Sequence, residues 1–140
     1  MRVRDLMTPD PITVRPDTPL LDARALMARA RVRHLLVMDG ERLAGIVTDR
    51  DIRLNLASPA TSLSVWELNY LLARLTVADV MTSTVIVTAP GRDAREAASI
   101  MLDQKIGALP VLEGGRLVGI ITETDLLRAF VQADLAATRV

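Results

Sequence analysis

Residues 3–52 align without a gap on residues 77–126 at a constant offset of 74, and 17 of the 50 aligned pairs are identical. A chain that repeats its pattern of apolar and turn residues in this way is expected to fold as two copies of one supersecondary unit. The identities run through the whole unit and include Asp5/Asp79, Met7/Met81, Thr8/Thr82, Ile12/Ile86, Pro16/Pro90, Met27/Met101, Val37/Val111, Gly40/Gly114, Arg42/Arg116, Gly45/Gly119, Thr48/Thr122 and Asp51/Asp125.

Each copy can be read locally. Ile12-Thr13-Val14 and Val85-Ile86-Val87 are β-branched runs ahead of a proline, which predicts a brief strand ending in a turn. Leu20, Ala23, Met27 and Ala30 recur at helical spacing, as do Ala94, Ala97, Ala98, Met101 and Leu102, so an amphipathic helix follows. Leu35 to Met38 and Leu109 to Leu112 are apolar runs closed by Asp39-Gly40 and Glu113-Gly114, the pattern of a buried strand entering a hairpin. The return strands are Leu43 to Val47 and Leu117 to Ile121, after which Thr48 or Thr122 opens a second helix.

The unit is strand, helix, strand, strand, helix, and the fold class is α/β (α+β) with two tandem repeats. A small sheet with helices on one face cannot bury both of its sides alone, so the copies are expected to pack about a pseudo-twofold axis with a ligand crevice between them. Repeat 1 spans 1–56, a linker with a helix 57–76, and repeat 2 77–137. In the linker, Ser58-Pro59 and Thr61-Ser62 signal a loop, Ser64 and Glu67 have capping-box spacing, and Leu63, Trp66, Tyr70 and Leu71 share a helical stripe suited to a core or to self-association.

Composition narrows the function classes. With half its residues apolar the chain can fill a core, and 17 basic against 17 acidic residues give no electrostatic reason to expect nucleic acid or an anionic membrane as partner. Absence of cysteine excludes disulfides and thiolate metal sites and suits a reducing compartment. No apolar run reaches signal-peptide or membrane-span length. A cytoplasmic protein is the expectation.

The twice-used text of Met7-Thr8, then Gly45-Ile46-Val47-Thr48-Asp49-Arg50-Asp51 and Gly119-Ile120-Ile121-Thr122-Glu123-Thr124-Asp125, resembles the CBS family, named after cystathionine β-synthase. Paired CBS repeats form what is called a Bateman module. The linker Ser58 to Ser64 with Trp66 to Leu72 is similar to that of bacterial CBS-pair proteins of the acetoin-utilisation type. Some of that group carry a further C-terminal domain, for which a chain ending at Val140 is expected to have no room.

The resemblance implies a site in which the Thr/Asp pair of one copy works with the loop and strand entry of the other. One group joins Ile120, Thr122 and Asp125 to Asp10, Pro11, Ile12, Val32, Arg33 and His34. The other joins Ile46, Thr48 and Asp51 to Thr84, Val85, Ile86, Ile106, Gly107 and Ala108. A carboxylate at such a junction can accept from both ribose hydroxyls, the threonine hydroxyl can bond ribose or phosphate, and backbone near Ile12 or Ile86 would read the adenine edge. Arg31, Arg33 and His34 could meet phosphate in the first group, where the second offers Lys105 and Arg50, so the Asp125 site is expected to bind more tightly.

Other readings stand beside these. Thr-x-x-Asp at a helix start is close to a capping box, which needs no ligand, and a residue can cap and bind in turn. The lone His34 could be a half-buried residue without a ligand, and by itself it cannot build an ordinary zinc site. The sequence contains no Gly-x-x-x-x-Gly-Lys-Ser/Thr, Gly-x-Gly-x-x-Gly, Gly-x-Ser-x-Gly or His-Glu-x-x-His motif, so no enzyme, catalytic residue, metal or required cofactor is expected. The expected function is a free-standing regulatory module that takes AMP, ADP or ATP as regulatory ligand, signals to an unidentified partner protein and forms a homodimer using Trp66, Tyr70, Met27 and Met101. The alternatives are a structural module with empty clefts, an S-adenosylmethionine sensor, or an enzyme acting on a nucleotide.

Overall fold

The computed structural model describes residues 1–57 and 64–138, the side chains at 57 and 134–138 excepted. Along the chain run α1 (Val3–Leu6), β1 (Thr8–Pro9), β2 (Thr13–Val14), α2 (Leu20–Ala30), β3 (His34–Asp39), β4 (Arg42–Thr48), α3 (Asp49–Ala57), α4 (Val65–Arg74), α5 (Val77–Val80), α6 (Ala94–Gln104), β5 (Ala108–Glu113), β6 (Arg116–Thr122) and α7 (Glu123–Thr138). The mixed α/β repeat expected from the sequence is present twice. The loop signals at Ser58-Pro59 and Thr61-Ser62, with Leu63, lie outside the described residues.

These elements form two compact units, Ile12–Thr84 and Met1–Pro11 with Val85–Val140. The units cut across the sequence copies, since each holds the body of one copy and the leading segment of the other.

In the unit Ile12–Thr84, β2 runs parallel to β3 and β3 antiparallel to β4. The free edge of β4 takes Thr82, whose N–H donates to Ile46 O at 2.9 Å while Ile46 N–H donates to Thr82 O at 3.0 Å. Just before it, α5 is tied down where Val77 and Ala78 N–H donate to Thr18 O and Pro16 O, both at 2.9 Å. Val77 is fully buried with Leu20, Leu35, Val47 and Ile52.

The other unit repeats this plan. β5 pairs antiparallel with β6, and β1 lies antiparallel on β6 with Thr8 opposite Ile120. Val3 and Arg4 N–H donate to Arg92 O (2.8 Å) and Pro90 O (3.0 Å), and Val3 is fully buried with Ala97, Met101, Leu109 and Ile121. Asp5 and Asp79 each accept, at 2.8 Å, the N–H three residues before them, of Arg2 and of Thr76, closing the first turns of α1 and α5.

This exchange explains why Met, Thr and Gly recur at matching places. A Cβ on Gly119 would stand 2.8 Å from Met7 Sδ and 2.9 Å from Thr8 O, and one on Gly45 2.7 Å from Thr82 O and 2.8 Å from Met81 Sδ. Only glycine lets the foreign segment lie this close to the return strand.

Three sequence expectations are corrected, and one open alternative is decided. Val85-Ile86-Val87 forms no strand; a single parallel bridge links Thr88 to Val111 instead. In the first copy Thr13 pairs with Leu36, but the matching partner of Val87 is Pro110, which has no N–H to give the ladder. Leu102 is not part of the buried stripe: it is 78% exposed, because it sits about 100° around the helix from Met101. Met27 and Met101, expected to offer association surface, are each 4% exposed and fill the two cores. The α4 stripe is not core, since Trp66, Tyr70 and Leu71 are all exposed.

Candidate functional site

Both Thr-x-x-Asp motifs sit where a return strand enters a helix, and both close a capping box. At the start of α3, Thr48 N–H donates to Asp51 Oδ2 and Asp51 N–H to Thr48 Oγ1, each at 3.1 Å. At the start of α7, Thr122 N–H and Oγ1–H both donate to Asp125 Oδ2 (2.8 and 3.0 Å), and Asp125 N–H donates to Thr122 Oγ1 (3.3 Å). Two of the orphan amides of each helix start are thereby satisfied within four residues of sequence.

The two carboxylates differ in their surroundings. Asp125 is 8% exposed, and its second oxygen, Oδ1, faces Arg128 Nη1 at 3.6 Å. Asp51 is half-buried, and the residue at the position matching Arg128 is Leu54, 58% exposed. Sequence reasoning passed over Arg128. Its signal is the i,i+3 spacing from Asp125 on one helix face. A buried carboxylate that accepts from two donors and is turned toward a cation is more rigidly placed than its repeat mate, which accepts from one.

Within the unit that contains α7, the structure brings several candidates together. Thr8-Pro9 pairs against Gly119 and Ile120, which sets Asp10 and Pro11 immediately beyond the end of β1. Asp10 adopts a left-handed conformation, φ 47°, turning the chain out of the strand. On the other side of β6, Ala108 lies opposite Thr122, and Gly107 O accepts from Glu123 N at 3.0 Å. Ile106 and Val85 are half-buried and Ile86 is exposed in this unit.

The unit Ile12–Thr84 has the matching set. His34 lies opposite Thr48 in the ladder, and Arg33 O accepts from Asp49 N at 2.9 Å. Thr82 pairs with Ile46, with Thr84 two residues on. Val32 is half-buried, and Ile12 and Arg33 are exposed. Within its unit, therefore, each Thr/Asp pair stands beside the strand entry of its own copy and the leading segment of the other. Arg31 and Lys105, the repeat-related cations, end α2 and α6 in left-handed conformation at φ 57° and 54°, each N–H donating to the carbonyl of Met27 or Met101.

A separate shallow depression of about 640 Å³ lies between Arg15, Asp17 and Asp39, at the end of β3 away from His34 and Thr48. Arg15 and Asp17 pair with each other there at 3.3 Å, both largely in solvent. Among the described residues no group of three or more His, Asp or Glu could hold a metal ion, and no helix is long and apolar enough to cross a membrane.

The geometry matches that of known proteins. The CBS domain profile fits residues 3–58 and again 77–132. Inosine-5'-monophosphate dehydrogenase of Mycobacterium leprae is 38% identical over 125 residues, which is 87% of this chain and 21% of that protein. The chain thus spans about a fifth of the length of such curated relatives. Among solved structures, a Vibrio cholerae protein named for acetoin utilization (AcuB) superimposes with a TM-score of 0.82 at 30% identity, covering 100% of this chain and 97% of that one. CBSX2 in complex with AMP gives 0.77 at 32% identity over 95% and 98% of the two chains. The CBS domain pair of protein MJ0100, in complex with 5'-methylthioadenosine and S-adenosyl-L-methionine, gives 0.81 at 27% over 95% and 98%. With two profile matches in tandem and a fold shared along its whole length with such proteins, the chain belongs to the CBS domain family and carries a pair of CBS repeats.

Proposed function

We propose that this CBS pair is a non-catalytic regulatory module that binds an adenine nucleotide and transmits its occupancy to a partner protein. The observation that carries the proposal is Asp125, a carboxylate 8% exposed and locked beside Thr122 at a strand-to-helix junction, in a chain whose structural relatives include an AMP complex. With Oδ2 engaged in the cap, Oδ1 and the remaining lone pairs are the acceptors for a ribose diol. Asp10 and Pro11, just beyond the strand that pairs with Ile120, supply the adenine edge. In the unit Ile12–Thr84, Thr48, Asp51 and Ile46 play the same parts beside Thr84, and Val32, Arg33 and His34 stand at the strand entry next to them. A cytoplasmic homodimer that reports adenylate energy state is the fuller form of this reading.

Thermal denaturation with millimolar AMP, ADP, ATP or S-adenosylmethionine tests it, because a ligand that binds only the folded state raises the midpoint by mass action. Mass spectrometry of small molecules released from protein purified without added ligand identifies the natural occupant. A midpoint unmoved by all four, with nothing released, overturns the proposal. One observation favours a second reading, a structural module without ligand: both Thr-x-x-Asp pairs are hydrogen-bonded internally and need no nucleotide to be satisfied. The same experiment decides between them.

A further inference from the structure

The helix between the repeats, α4, adds nothing to the core of its unit. None of its side chains is buried, and Trp66 (84% exposed) and Tyr70 (58%) stand in solvent. At 3.6 residues per turn, Trp66, Tyr70 and the exposed Ala73 form one ridge, while the half-buried Leu68 and Leu72 lie on the opposite side, where the helix rests on α2. Beside the ridge is a groove of about 390 Å³ lined by Trp66, Glu67, Tyr70 and Leu71. An amphipathic helix whose aromatic face is turned away from its own core marks an interaction surface.

We propose that this face is a self-association seam, in which α4 pairs antiparallel with α4 of a second copy across a twofold axis. Charge placement selects that occupant. Glu67 and Arg74 are one heptad apart, on the same flank of the ridge, and both are exposed. In an antiparallel twofold pair a flank meets the same flank of its mate, so Glu67 of each copy faces Arg74 of the other and two ion pairs form. The ridge is self-complementary in the same sense, with its large end at Trp66 opposed to its small end at Ala73. A parallel pair sets opposite flanks together, so Glu67 would meet the Asn69 side of its mate and no ion pair would form.

Ser64 fixes the helix start by accepting from Glu67 N at 3.2 Å, and Arg74 lies 4.1 Å from the Tyr70 ring centroid, which holds the cation beside the ridge. One ten-residue helix covers less than the roughly 800 Å² per partner of a standard interface, so this contact is weak and concentration-dependent. The inference rests on the homodimer reading and assigns its interface; it is independent of nucleotide binding.

Trp66 is the sole tryptophan of the chain, so its fluorescence reports the seam directly. Over a dilution series of the full chain, with sedimentation equilibrium in parallel, the expected result is an emission blue-shift and lower acrylamide quenching as dimer forms. Glu67→Arg should weaken dimerisation about fivefold or more by opposing two cations, and the double variant Glu67→Arg/Arg74→Glu should return it to within about twofold of the original. Because both variants lose Glu67 from the first turn of α4, rescue cannot come from helix stability. Trp66 emission that stays constant while dimer mass forms, or a Glu67→Arg dimer as tight as the original, overturns the seam and leaves the homodimer reading standing. Chains that stay monomeric at every concentration overturn both.

Discussion

At the scale of single residues, the repeat identities divide into contacts and caps. Gly45 and Gly119 are contact positions, since a Cβ would meet backbone oxygen at 2.7 and 2.9 Å, atoms that cannot swing aside as a flexible side chain can. Gly119→Ala and Gly45→Ala should each cost about 1–3 kcal/mol, the range for forcing a methyl group into a packed site, measured by urea denaturation. Thr48, Asp51, Thr122 and Asp125 are caps, and removing such a side chain costs about 1 kcal/mol. Asp125→Ala and Asp51→Ala should therefore lower stability by similar amounts. Their effects on adenosine-ligand affinity should differ, with the larger loss at Asp125, which is the more buried and is oriented by Arg128. Isothermal titration of both variants with AMP checks this; equal losses would remove the asymmetry.

At the scale of elements, the leading segments are the parts that tie the repeats together. Val3 and Val77 are fully buried, each in the core built from the other copy's α-helix and hairpin. Truncating either to alanine should cost about 2 kcal/mol. The informative outcome is where that cost falls. Val3→Ala, a change in the first copy, should raise amide hydrogen exchange in β5 and β6 of the second, and Val77→Ala should do so in β3 and β4 of the first. Deprotection confined to the mutated copy's own hairpin would contradict the exchange. The weak pairing at Thr88 belongs to this scale as well, because Pro110 removes the one donor that would lengthen it.

For the whole molecule, the proposed regulation requires that nucleotide bind one state better than another, since a ligand with equal affinity for both shifts nothing. A first measure is the linkage between binding and folding. At a nucleotide concentration one hundredfold above Kd, the folded state should gain about 2.7 kcal/mol, which appears as a rise of several degrees in Tm. Asp125→Ala should shrink that rise while leaving sedimentation mass unchanged, because Asp125 lies on α7 and the proposed seam on α4. Nucleotide response and self-association are then separable properties of one chain.

Much was legible in the amino-acid sequence, and for a common reason. The repeat, the stripes of α2 and α6, the hairpins and both capping boxes depend on residues within a few positions of each other, where spacing alone decides geometry. What sequence left open depends on distant residues. Met7-Thr8 suits the edge beside Gly45 as well as the edge beside Gly119, because the copies offer the same residues there; only the path of the chain settles that it takes Gly119. Tertiary packing likewise buried Met27 and Met101, left Trp66 in solvent and set Arg128 against Asp125. Periodicity tells which face of a helix is apolar, but whether that face meets a core or water is decided by what the rest of the fold places in front of it.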